Sequence, residues 1–93
     1  MTRQQRIETA LQATFGPERL VVINESHLHA GHQPQFDGTG DSHFRVRLQS
    51  AHFTGLSRID RHRAVNAALK AEFDGGLHAL AVEAAAPGET TRW

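Results

Sequence analysis

Ser42-His43-Phe44-Arg45-Val46-Arg47-Leu48-Gln49 alternates polar and apolar side chains, with Phe44, Val46 and Leu48 in phase. That period of two predicts a half-buried β-strand. A helical pattern follows over 57–73, and a second apolar run, Leu77-His78-Ala79-Leu80-Ala81-Val82, comes after it. Strand, helix and strand at this spacing form a parallel βαβ unit, whose crossover is nearly always right-handed. Two parallel strands begin at the same end of a sheet. His78, entering the later strand, is therefore expected beside His43 and the segment feeding the earlier strand, which carries His27, His29 and His32. Five of the seven histidines should converge on one end of a small domain.

Upstream, Thr2 and Gln5 have the spacing of a capping box. Ile7, Ala10, Leu11, Thr14 and Phe15 then share one face of a predicted helix, which Gly16-Pro17 stops. Arg19 to Ser26, through the β-branched run Val21-Val22-Ile23, is the first predicted strand. Residues 27–41 show no periodicity, and their glycines and Pro34 make them a long loop between two antiparallel strands. Hairpins usually need only two to five loop residues, so a loop this long is either functional or a solvated tip. Three closely spaced histidines favour function, since neutral imidazole is the commonest ligand for zinc, copper and iron.

Downstream, Gly55 ends a turn and Ser57 is placed to cap the next helix. At about 100° per residue, Ile59, His62, Val65, Leu69 and Phe73 form its predicted core stripe. Arg58, Arg61, Arg63 and Lys70 flank that stripe, a weak basic face that is usually solvated but suits phosphate contact. Ala64, Ala67 and Ala71 fall on the opposite side. In the last strand Glu83 should point the same way as Arg45 and Arg47 of its neighbour. On residue physics alone, His62 reads as partly buried and bonded to backbone, and His78 as a satisfied histidine at the core's edge. Pro87-Gly88 ends the strand, leaving a short tail over 87–93 in which Trp93 is expected to pack back on the domain.

Composition bounds the function. Ninety-three residues suit one domain spanning 1–93, and ten basic residues balance ten acidic ones, so global charge gives no case for nucleic acid. There is no cysteine, which excludes disulfides and confines metal ligation to histidine and carboxylate. No run approaches the roughly 20 apolar residues of a membrane span, so a soluble cytoplasmic chain is expected. Without a cysteine nucleophile, a G-x-S-x-G elbow or a phosphate loop, it is expected not to be an enzyme. A histidine-only zinc hydrolase is the least favoured reading.

Several short motifs carry a family resemblance: Glu25-Ser26 followed by His29, Ser42-His43-Phe44-Arg45-Val46, Phe53-x-Gly55-Leu56-Ser57, Arg61-His62-Arg63 and His78-Ala79-Leu80. In this order they resemble the BolA family from the first helix to about Pro87. The resemblance implies an α+β fold, an αββαβ core similar to a class II KH domain, with a three-stranded mixed sheet and helices on one face. It also implies pairing with a monothiol glutaredoxin and a shared 2Fe–2S cluster, with glutathione and thiolate supplied from the glutaredoxin side. The family's histidine ligand position matches His78, and its loop ligand, a His or Cys, is best matched by His29, with His27 and His32 as alternates. A homodimer is a further expectation for the chain without its partner. The alternative reading is a transcriptional regulator touching DNA through Arg58, Arg61, Arg63 and Lys70, although the Gly-x-x-Gly loop of true KH domains is absent.

Overall fold

Thr2 caps the first helix as its spacing predicts, with its side chain accepting from the Gln5 N–H while Gln5 reaches back to the Thr2 N–H. In the computed structural model, which describes residues 1–26 and 42–93, that helix is α1 (Arg3–Phe15). It ends at Gly16, whose left-handed backbone (φ 50°) closes the last turn onto Gln12 O. Strands β1 (Arg19–Asn24) and β2 (His43–Gln49) follow, then a 3₁₀ turn over Ala51–Phe53. Helices α2 (Arg58–Ala68) and α3 (Lys70–Asp74) lead into strand β3 (Ala79–Ala85). Residues 86–93 form no helix.

The sheet order is β1-β2-β3. β1 runs antiparallel to β2, with Val22 opposite Val46, and β3 runs parallel to β2, with Val82 opposite Val46 and Ala79 opposite His43. This is the mixed αββαβ sheet expected from the sequence. Val22, Phe44, Val46 and Leu48 meet Ile7, Leu11 and Phe15 of α1 and Val65 and Leu69 beside them to form one core. Complete burial of each large aliphatic or aromatic side chain contributes roughly 1.5–3 kcal/mol. Arg3 and Arg6 tie α1 to the C-terminal end of the crossover, Arg3 donating to Gly75 O at 2.8 Å and Arg6 to the Glu72 carboxylate at 3.0 Å.

Several boundaries differ from the sequence reading. The first strand stops at Asn24 rather than Ser26, and β2 begins at His43 rather than Ser42. The single helix expected over 57–73 breaks at Leu69 (φ −107°, ψ 17°), whose N–H is shared between Val65 O and Asn66 O. The predicted stripe is half displaced. Val65 and Leu69 are buried, but Ile59 is 62% exposed and His62 is also exposed, while Ala64 and Ala68 pack against the core. The inward face of α2 carries Arg61, Ala64, Val65 and Ala68, roughly a quarter-turn round the helix from the expected stripe. Ser57 does cap α2, accepting from the Asp60 N–H at 3.1 Å. Trp93 folds back as expected, its ring lying 4.4 Å from the Arg19 guanidinium, which also donates to Trp93 O.

Candidate metal-ligand site

The parallel register of β2 and β3 builds one end of the sheet from Ser26, Ser42, His43 and His78. Ser26 is only 2% exposed, and its hydroxyl accepts from the Ser42 N–H at 3.0 Å and the His43 N–H at 3.2 Å. Glu25 N–H donates to His43 O at 2.8 Å alongside. The points where the chain leaves for residue 27 and returns from residue 41 are thereby pinned to each other. From the other side, the His78 and Ala79 N–H groups both donate to Ser42 O, at 2.8 and 3.1 Å. His78 thus stands beside Ser42, whose own N–H is held by Ser26.

The two histidines of this end differ in environment. His43 is 6% exposed, with Nδ1 2.8 Å from Ser42 Oγ, whereas the His78 side chain is exposed. Their rings lie 5.2 Å apart, centroid to centroid, at 53°. Position 78 is thus more exposed than the expected core-edge histidine, while its ring keeps contact with His43. Leu77 before it is buried, and His78 is the residue at which the chain emerges before entering β3. His27, His29 and His32, with the loop aspartates Asp37 and Asp41, lie outside the described residues. Among the described residues no group of three or more His, Asp or Glu is placed to hold a metal ion. His43 stands beside His78 as the parallel strand order predicted, since Ala79 is paired with His43.

Behind this end, on the sheet face away from the helices, four charges form a ladder from Glu25, just past β1, through Arg45 and Arg47 of β2 to Glu83 of β3. Arg45 donates to Glu25 at 2.9 Å and to Glu83 at 3.3 Å, and Arg47 donates to Glu83 at 2.7 Å. The hydrogen bond from Arg47, reinforced by Arg45, holds the Glu83 carboxyl below its ordinary value. The hydrogen bond to Glu25 raises Arg45.

The basic residues of the crossover helices are largely engaged. Arg61 is not part of a solvated flank: its side chain is 12% exposed, donating to Leu56 O, to Ala84 O and in bidentate fashion to Glu89. That pairing, with the Ala86 N–H on the same carboxylate, pulls Glu89 down to about 2. Arg63 pairs with Asp60 at 3.6 Å and Lys70 with Asp74 at 2.8 Å, both exposed. Arg58 lines an open cavity of about 520 Å³ with Leu56, Val82 and Trp93, towards the opposite end of β3 from His78. His62, the histidine of this helix, has Nε2 3.1 Å from Val82 O, a backbone bond as expected, made at the rim of the sheet and not within the core.

With this geometry in place, comparison with known proteins is informative. The BolA-like protein family model matches residues 11–89. The chain belongs to the BolA family. An uncharacterized protein from the cobS 5′ region of a Sinorhizobium species is 64% identical over the full length of both chains. The fission yeast UV-induced protein uvi31 is 40% identical, with 88% of this chain and 82% of that protein covered. Among solved structures, the BolA domain of SufE1 from Arabidopsis thaliana superimposes with a TM-score of 0.86 at 37% identity, covering 97% of this BolA-family chain and 98% of that one. No described helix of the chain is long and apolar enough to cross a membrane.

Proposed function

We propose that this BolA-family chain is a non-enzymatic adaptor that lends histidine ligands to a 2Fe–2S cluster shared with a monothiol glutaredoxin. The ligands would be His78 and His29, with His27 and His32 as the alternates for the loop position. One observation carries this reading: the exposed His78 is tied by its backbone N–H to Ser42, the anchor that Ser26 holds at the return of the segment carrying three further histidines. The donor chemistry fits half of such a group. Imidazole nitrogens can replace thiolates on one iron, while a chain without cysteine needs a partner to supply the sulfur donors. A 2Fe–2S group supplies one-electron redox chemistry, and imidazole ligation raises its potential.

The chain's own part is to present and orient the ligands. Two backbone N–H bonds to Ser42 O fix the start of β3, so that the His78 side chain leaves a rigid base. His43, buried beside it, limits the volume into which the His78 ring can turn. Physiological partnership in cluster trafficking or in iron and redox regulation follows from the same reading.

The test is reconstitution of the mixed complex from the chain, a monothiol glutaredoxin, glutathione, iron and sulfide, followed by visible absorption and circular dichroism. His78→Ala should abolish the spectrum of the mixed complex, and His29→Ala should alter it. His52→Ala, beyond the far end of β2, should leave it unchanged. A wild-type spectrum in the His78→Ala complex would refute the ligand assignment.

A further inference from the structure

β3 is the outer strand of the sheet and carries the sequence features of an edge that invites pairing. Four of its seven residues are alanine, it has no proline or lysine, and its one charge, Glu83, is turned to the open face by Arg45 and Arg47. Natural edge strands are normally blunted by charge, proline, bulges or a cover. This one uses another device. Ala79 N–H donates to Ser42 O and Ser50 N–H donates to Ala85 O, so the odd-numbered residues of β3 bond inward to β2. Leu80, Val82 and Ala84 therefore turn their N–H and C=O groups outward. Two of those carbonyls are taken by adjacent side chains of α2: His62 Nε2 lies 3.1 Å from Val82 O, and Arg61 Nη1 lies 3.2 Å from Ala84 O. A carbonyl only accepts, so His62 Nε2 carries hydrogen, which is true of the Nε2–H tautomer and of the imidazolium alike.

We infer that Arg61 and His62 are edge guards, which close the outer rim of β3 to pairing with a second copy of this chain. The occupant excluded is a second β3 running antiparallel about a two-fold axis at Val82, the central residue of the strand. That arrangement pairs the outward-facing residues with one another and is self-complementary, as an isologous contact must be. The other rim supports the same logic. Gln4 of α1 donates from Nε2 to Val22 O at 3.2 Å, on the outer side of β1. Each rim of the sheet is thus occupied by side chains from the helix packed nearest to it. The rotation of α2 that leaves Ile59 exposed is what sets positions 61 and 62 against this rim.

The experiment compares wild type, His62→Ala, His62→Gln and the double variant Arg61→Ala/His62→Ala. Two readouts are taken from micromolar to millimolar concentration: mass by light scattering, and hydrogen exchange of the Val82 and Ala84 amides by NMR. The double variant should approach twice the wild-type mass at the upper end and gain protection at both amides. His62→Ala should show a weaker form of both effects, and His62→Gln, which keeps a donor, should behave as wild type. Folded double variant that keeps the wild-type mass throughout, or that associates without new protection at Val82 and Ala84, overturns the proposal. Should loss of the Arg61 clamp unfold the double variant, His62→Ala decides on the same two readouts, because it leaves Arg61 and Glu89 in place.

Discussion

Replacing Ser26 with alanine removes a single oxygen that satisfies two backbone donors. The Ser26 hydroxyl accepts from Ser42 N–H and His43 N–H and lies 3.4 Å from His43 O, in a position only 2% exposed. Loss of a partner for a buried donor costs about 1–3 kcal/mol each, so two such losses, with some relaxation, set the expected destabilisation at about 2–4 kcal/mol. Ser57→Ala is the matched control. It also deletes a hydroxyl that accepts from backbone, but at an exposed helix start, where a lost cap costs roughly 1 kcal/mol. Urea unfolding followed by far-ultraviolet circular dichroism gives both values from midpoint and slope. Because Ser26 pins the two anchors of segment 27–41, amide exchange at Ser42 and His43 should accelerate in Ser26→Ala and not in Ser57→Ala. If Ser26→Ala costs no more than Ser57→Ala, the hydroxyl is not the keystone of this end of the sheet.

Leu48→Ala, at a fully buried site in the central strand, should cost about 2–5 kcal/mol by the same unfolding assay. Glu89 has a lowered folded-state value, so its contribution should be fully present above its unfolded value near pH 4.5 and be lost as pH falls through about 2. The stability difference between wild type and Glu89→Gln, measured across that range, should therefore be flat above about pH 5 and shrink towards zero below it.

Much of the fold was legible because its signals were local and strong. The period of two in β2 placed Phe44, Val46 and Leu48 on the core face, and the Thr2–Gln5 box and Gly16 delimited α1. The pairing of Glu83 with Arg45 and Arg47 followed from the parallel register. What a helical wheel could not show was which face of α2 the sheet would take. Ile59 and His62 lie on the stripe that spacing selects, yet the small Ala64 and Ala68, with Val65, are the residues turned to the core. Arg61 was misplaced for a related reason: two of its partners, Glu89 and the Ala84 carbonyl, lie more than 20 residues further along the chain, and no local pattern announces them. At the candidate site, topology alone put His78 beside His43, but its exposure was missed because a histidine in phase with Leu80 and Val82 looks like part of the apolar row.

The direction of the strands also separates the molecule into two poles. Both β2 and β3 start at the histidine pole and run towards the Arg19, Gln49 and Trp93 pole, where the tail is anchored. Seven strand residues at about 3.3 Å each put roughly 20 Å between them. A fluorophore, affinity handle or tether attached through the tail would accordingly report on the chain without crowding the imidazoles, which makes that pole the natural place to immobilise it for partner-capture measurements.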